Sequence, residues 1–240
     1  MVERMNKNSG FTLIELAMVI LISGLLFLPL IKAYDTYVIK KKVEDSRDAV
    51  SLSASLVTQY RANEGGYPCP ADAGLPSTDA NYGVSQCTSV HLVSVGDCTP
   101  SGGLCLISGD RDADGDSVMD PVLVGGIPFA TLKTDLDGIA LVSNQAFTDA
   151  WGNRIMYWVT ASLTSLSTYN YYNGVISAVD EYGFPTAGVD QDAHFAVFSP
   201  GRDNRGGFSR EGALLSVCSN DANSEDYINC DGDAVFIQAK

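Results

Sequence analysis

The sequence predicts an α+β chain. One long N-terminal helix, membrane-grade in its first half, should pack through its second half on a small antiparallel sheet, with an irregular, disulfide-pinned insertion between the two. Three observations lead there. Helical patterning runs from Phe11 to about Ala62; short Tyr-, Val-, Ile- and Phe-rich runs follow Asn153; and the stretch between them is dense in Gly, Pro, Ser, Asp and Cys. One long helix followed by a run of strands segregates into helix-on-sheet layers.

The helix begins with an unusual segment. Ser9-Gly10-Phe11-Thr12-Leu13-Ile14-Glu15-Leu16 leads into the almost unbroken apolar run 16–31, after a short polar leader containing Arg4 and Lys7. About 20 such residues suffice to cross a bilayer. A secretory signal places its small-residue cleavage site after the apolar stretch. Here the small residue, Gly10, precedes it, so cutting between Gly10 and Phe11 would leave the apolar helix on the mature chain. Glu15 is the anomaly: a charge at bilayer depth costs roughly 2.5–3.5 kcal/mol on insertion scales and is normally paired and functional. The alternative is an ordinary signal anchor whose Glu15 reaches the headgroups.

Beyond the apolar run, Ile39, Val43, Val50 and Val57 recur at helical spacing, with Leu56 and Tyr60 widening the stripe. Lys41, Lys42, Glu44, Asp45 and Arg47 fill the other faces. Pro29 lies inside the span, where a missing donor should kink it. Gly65-Gly66-Tyr67-Pro68 should end it. These limits divide the chain into a leader (1–10), a transmembrane half-helix (11–31), a second half-helix (32–62) and a globular domain (63–240). Residues 63–130 read as irregular. Strand signals cover Arg154–Thr160, Tyr169–Val179, His194–Ser199, Leu214–Cys218 and Ala234–Gln238.

The N-terminal string Gly-Phe-Thr-Leu-Ile-Glu at positions 10–15 resembles the processing signal of type IV pilins and type II secretion pseudopilins. Two later strings extend the likeness. Asp149-Ala150-Trp151-Gly152-Asn153-Arg154-Ile155-Met156-Tyr157 is similar to the Asp-x-Trp-Gly segment that opens the pseudopilin sheet, and His194–Asp203 to the strand ending in Ser-x-Gly-x-Asp. The resemblance implies that a prepilin peptidase cleaves after Gly10 and methylates Phe11. It also implies that Glu15 neutralises the N-terminal amine of a neighbouring subunit. Implied partners are other pilin or pseudopilin subunits and an inner-membrane assembly platform; the implied location is the bacterial inner membrane with the domain in the periplasm, and after assembly a filament that can reach the cell surface. The length, the 69–130 insertion and the cysteines depart from a major pseudopilin and favour a minor or divergent subunit. Trp151 itself reads as an aromatic beside a glycine turn that packs sheet against helix.

Charge narrows the partners. Of 29 acidic residues 23 lie beyond position 60, with only 8 of the 15 basic ones, so no dedicated grip on nucleic acid is expected. All six cysteines, Cys69, Cys87, Cys98, Cys105, Cys218 and Cys230, fall there too, which reads as disulfides in an oxidising compartment. Local loops favour Cys69–Cys87, Cys98–Cys105 and Cys218–Cys230. A zinc cluster is the competitor, but no Cys-x-x-Cys occurs and His91 and His194 are isolated.

Asp110, Asp112, Asp114, Asp116 and Asp120 alternate around Gly115. Carboxylates so spaced can converge on a calcium ion, which takes 6–8 oxygens. Pro121 stands where an EF-hand would place its closing glutamate, and a solvated acidic turn is the alternative. The pseudopilin resemblance implies a second calcium near Asp203, with Asp231 or Asp233 contributing, against an arginine–aspartate network built on Arg202, Arg205 and Arg210. No nucleophile elbow, phosphate loop or dinucleotide fingerprint is present, so no enzyme is expected. The functional expectation is a filament subunit of a secretion or pilus system. Its alternative is an anchored, calcium-dependent binding module for adhesion or uptake.

Overall fold

Helix α1 spans Leu13–Glu64 and continues through Pro29. It ends where the sequence requires: Gly65 adopts φ +81°, a left-handed conformation that only glycine takes cheaply, and its N–H closes on the Arg61 carbonyl at 2.8 Å. The computed structural model describes residues 12–87, 103–109, 112–113, 115–135, 147–176, 193–202, 209, 211–213 and 235–239. The chain forms two compact units, 1–41 and 42–240.

The first unit is helical from Leu13 onward, and its described apolar side chains from Leu13 to Ile31 are solvent-facing. The second unit contains the rest of α1 and a five-stranded sheet. Its strands are β1 (Cys105–Ser108), β2 (Pro121–Gly126), β3 (Met156–Thr160), β4 (Ala193–Phe198) and β5 (Val235–Ala239). They pair in sequence order, all antiparallel. A second helix, α2 (Phe129–Asp135), follows β2, and a 3-10 turn at Ala161–Thr164 follows β3.

Period-two alternation builds two apolar layers from this sheet. Leu123, Tyr157, Val159, Phe195 and Val197 face α1, where they bury Val50, Ala54, Leu56 and Val57 together with Leu132, Phe147 and Leu163. Val122, Val124 and Ala196 point the other way, against Val175, Ile176 and Cys105. The helical stripe read from Val50 and Val57 is therefore the core face of α1.

Three sequence expectations change. The 63–130 region is not wholly irregular, since it contains β1, β2 and the start of α2. β2 starts on Pro121 and ends in Gly125-Gly126, a composition that reads as loop. Proline is tolerated at a strand's first residue, however, and Gly125 is needed because a Cβ there would lie 2.5 Å from the Ala71 carbonyl oxygen. Tyr169–Ile176 forms no strand. Asn170 turns the chain by accepting the Tyr172 N–H on its side chain and the Asn173 N–H on its carbonyl, and only the Ile176–Ala193 bridge is sheet-like. The helix also runs two residues past Ala62. Residues 177–179 and the strand expected over Leu214–Cys218 lie outside the described residues.

Candidate functional site

The helix start carries a reciprocal cap. Thr12 Oγ1 accepts the Glu15 N–H at 3.3 Å, while one Glu15 carboxylate oxygen accepts both the Thr12 N–H at 2.9 Å and the Thr12 hydroxyl at 2.8 Å. This is a capping box, which satisfies backbone donors that the first turn cannot otherwise pair. Sequence reasoning missed it, although Thr-x-x-Glu before an apolar run is its signature. Glu15 thus has a partner within its own chain, on an otherwise apolar and exposed segment. Gly10 and Phe11 lie outside the described residues.

Residues 5–31 match the family model of the prokaryotic N-terminal methylation motif. The N-terminus is a prepilin-type signal. The motif is a structural one, not a catalytic one, and it implies cleavage by a prepilin peptidase and assembly with other pilin-like subunits. α1 is the one described helix long and apolar enough to cross a membrane, and together with the prepilin-type signal it fits a membrane-anchored, single-pass protein. No solved structure matches the chain.

The two later strings meet in space. Asp149 is buried, and its Oδ1 accepts the N–H groups of Trp151 (2.9 Å) and Asn153 (2.7 Å). Its Oδ2 accepts the Asn153 side-chain amide (3.1 Å) and the Ser199 hydroxyl (2.8 Å). Asn153 also donates to the Gly201 carbonyl, and the Gly201 N–H returns to Ser199 Oγ. Gly152 makes the turn possible at φ +90°. Ser46, on α1, accepts the Ala150 N–H at 3.1 Å. Asp-x-Trp-Gly and Ser-Pro-Gly are therefore two halves of one buried knot that joins β3, β4 and the helix. A carboxylate with four donors this deep is structural rather than reactive.

Arg154 is likewise buried. Its guanidinium donates to the Ala73 and Leu75 carbonyls and stacks over Tyr82 at 4.6 Å. Burial pushes its pKa below the ordinary arginine value, against the favourable fields of Tyr82, Asp72 and Glu211. It pins the 69–87 excursion, which is closed by the Cys69–Cys87 disulfide. A small cavity of about 20 Å³ remains beneath, lined in part by Tyr82, Phe129, Phe147 and Arg154. That is room for about one water molecule. Cys105 is also disulfide-bonded, to a cysteine outside the described residues.

In the acidic loop, Asp112 accepts the N–H groups of Gly115, Asp116 and Ser117, and Asp116 accepts that of Val118. Buried Asp120 accepts the Ala113 N–H at 2.7 Å, which brings the two ends of the loop together. Among the described residues no three His, Cys, Asp or Glu side chains converge in a metal-binding group. Asp110, Asp114, Asp203, Asp231 and Asp233 lie outside those residues, as do Cys98, Cys218, Cys230 and His91.

Proposed function

We propose that the chain is a pilin-like filament subunit, a minor pilin or pseudopilin of a type II secretion or type IV pilus system. It is cleaved after Gly10, methylated on Phe11 and packed through its apolar half-helix against neighbouring helices. The observation that carries this reading is a prepilin-type signal running into an apolar segment whose described side chains are solvent-facing. The work of such a subunit is assembly rather than turnover. Apolar helix faces exclude lipid from one another, and Glu15 sets register by exchanging its bond to Thr12 for a neighbour's N-terminal amine. An ion pair in hydrocarbon has far less competition from solvent than one in water. The domain at 63–240 then lies in the periplasm or beyond, and its surface selects the partner.

The test is assembly. In cells that supply peptidase and platform, the Glu15→Ala chain should still be cleaved but should vanish from the sheared-filament fraction. Normal incorporation of Glu15→Ala would overturn the charge-pairing role.

For the acidic loop, calcium through Asp110, Asp112, Asp114, Asp116 and Asp120 is kept as a proposal, supported by the Asp120 carboxylate that closes the loop onto Ala113. A ligand at about 100 times its Kd stabilises by roughly 2.7 kcal/mol. Thermal unfolding with calcium and then with excess chelator should therefore differ by several degrees. Identical transitions would remove the metal.

A further inference from the structure

The 69–87 excursion has two arms, and the β2–α2 segment holds both. The outgoing arm adds to β2, where Ala71 and Gly126 exchange N–H···O bonds of 2.9 and 2.8 Å. The returning arm adds to α2: the Gly83 carbonyl accepts the Ala130 N–H and Thr131 Oγ1 accepts the Ser85 N–H, each at 2.8 Å. Tyr82 packs edge-on against Phe129 of the same helix, with ring centroids 4.9 Å apart. Past Ala71, Arg154 donates to the Ala73 and Leu75 carbonyls, and the Ala73 N–H reaches the Gly103 carbonyl at 2.8 Å. Gly103 and Gly212 lie so close over Gly74 that neither has room for a Cβ.

Two arms set side by side on one template meet in register. Ala71 stands opposite Ser85 in an antiparallel bridge, and the Pro70 carbonyl accepts the Gln86 N–H at 3.0 Å. One further residue on each arm puts Cys69 directly opposite Cys87. Directly opposed residues carry Cβ atoms about 4.5–5.5 Å apart, close to what a disulfide requires. The Cα atoms of the two cysteines are 5.2 Å apart. Cys69 is fully buried in the core shared by α1 and the sheet, whereas Cys87 is exposed.

We infer that the Cys69–Cys87 bond is directed by the fold: β2, α2 and Arg154 set both arms in place first, and the bond staples an excursion already in position. Arg154 and the disulfide then act as redundant locks, each sufficient to keep the arms together. Exposure sets the order of oxidation. The Cys87 thiolate attacks a small-molecule disulfide and releases one of its thiols. The Cys69 thiolate then attacks the Cys87 sulfur of that mixed disulfide and releases the other. Two protons and two electrons leave the cysteines and reappear on the two released thiols. Of the six cysteines, Cys87 is thereby selected for Cys69 by backbone register. A cross-link acts mainly on the unfolded chain, so losing it lowers stability without moving the native arms. This order of events holds whether or not the chain is a filament subunit.

The test uses the full chain in detergent micelles and amide exchange at Ala71, Ser85, Gln86 and Ala130. Their protection is taken as a ratio to that of the β3–β4 amides in the same sample, so that a global loss of stability divides out. Cys69→Ala/Cys87→Ala should leave the ratio within about threefold of wild type, and Arg154→Gln with the disulfide intact should do the same. Combining them removes both locks and should lower the ratio on the order of tenfold or more. Collapse of the ratio, or of the fold, in the Cys69→Ala/Cys87→Ala chain would overturn the inference, because the bond itself would then be what holds the arms. An unchanged ratio in the combined variant would overturn the part given to Arg154. If that combination does not fold, Tyr82→Leu, which removes the stack over the Arg154 guanidinium, takes the place of Arg154→Gln with the same reading.

Discussion

The two halves of α1 are built from similar apolar residues and meet opposite fates. Leu13 is 87% exposed and Ile20 65%, whereas Val57, on the same helix, is fully buried. The difference lies in what folds against each half. Val50, Ala54 and Val57 meet a sheet whose alternate residues match their stripe, while 13–31 is apolar on nearly every side, a pattern that one folded face cannot cover. A helix apolar all round asks for lipid or for other helices. The pairing of a self-sufficient core with an unpartnered anchor is what a filament subunit needs, because it must fold before it assembles.

Breaking the folded half should have the largest effect. Asp149→Ala removes the acceptor of four hydrogen bonds and should cost roughly 3–5 kcal/mol in chemical unfolding of the domain, with tryptophan fluorescence as reporter. A Cys69→Ser/Cys87→Ser pair opens an 18-residue separation and should cost about 3 kcal/mol by the same measurement. Val57→Ala should cost about 2 kcal/mol, while Ile20→Ala should leave domain unfolding within about 0.5 kcal/mol. Equal costs for those two would erase the contrast between the halves.

Two smaller effects sharpen it. Burial drives the Tyr67 phenol up to about 12, and that of Tyr157 well above the ordinary tyrosine value. A raised acid binds its proton more tightly in the folded state, so this stability is complete below about pH 10 and drains away as pH rises towards 12. Tyr67→Phe should make alkaline unfolding shallower, as followed by circular dichroism. At the helix start, Thr12→Ala removes half of the capping box and should cost about 1 kcal/mol locally. Faster amide exchange at residues 12–16, with the domain unchanged, is the expected reading.

What the sequence made legible follows the range of each interaction. The prepilin-type signal is one contiguous stretch, matched over residues 5–31, and Cys69–Cys87 is a short loop, so both could be read along the chain. Runs such as Met156–Thr160 and Ala193–Phe198 announced strands through aromatic and branched residues. β2 was hidden because Pro121 and Gly125-Gly126 suit a loop until the Ala71 backbone comes close, and β1 and α2 because at 4 and 7 residues they carry little periodicity of their own. The Asp149–Ser199 knot depends on a partner tens of residues away, and no local pattern specifies it. The Thr12–Glu15 cap was legible and was overshadowed by the assembly role expected of the same carboxylate.

The most direct test is the N-terminus itself. The chain would be expressed with a prepilin peptidase, and the membrane-associated product sequenced by mass spectrometry beside a Gly10→Val variant. The expected product begins at methylated Phe11 and is lost in Gly10→Val. An intact Met1 start despite active peptidase would contradict it and leave an anchored domain outside the pilin pathway.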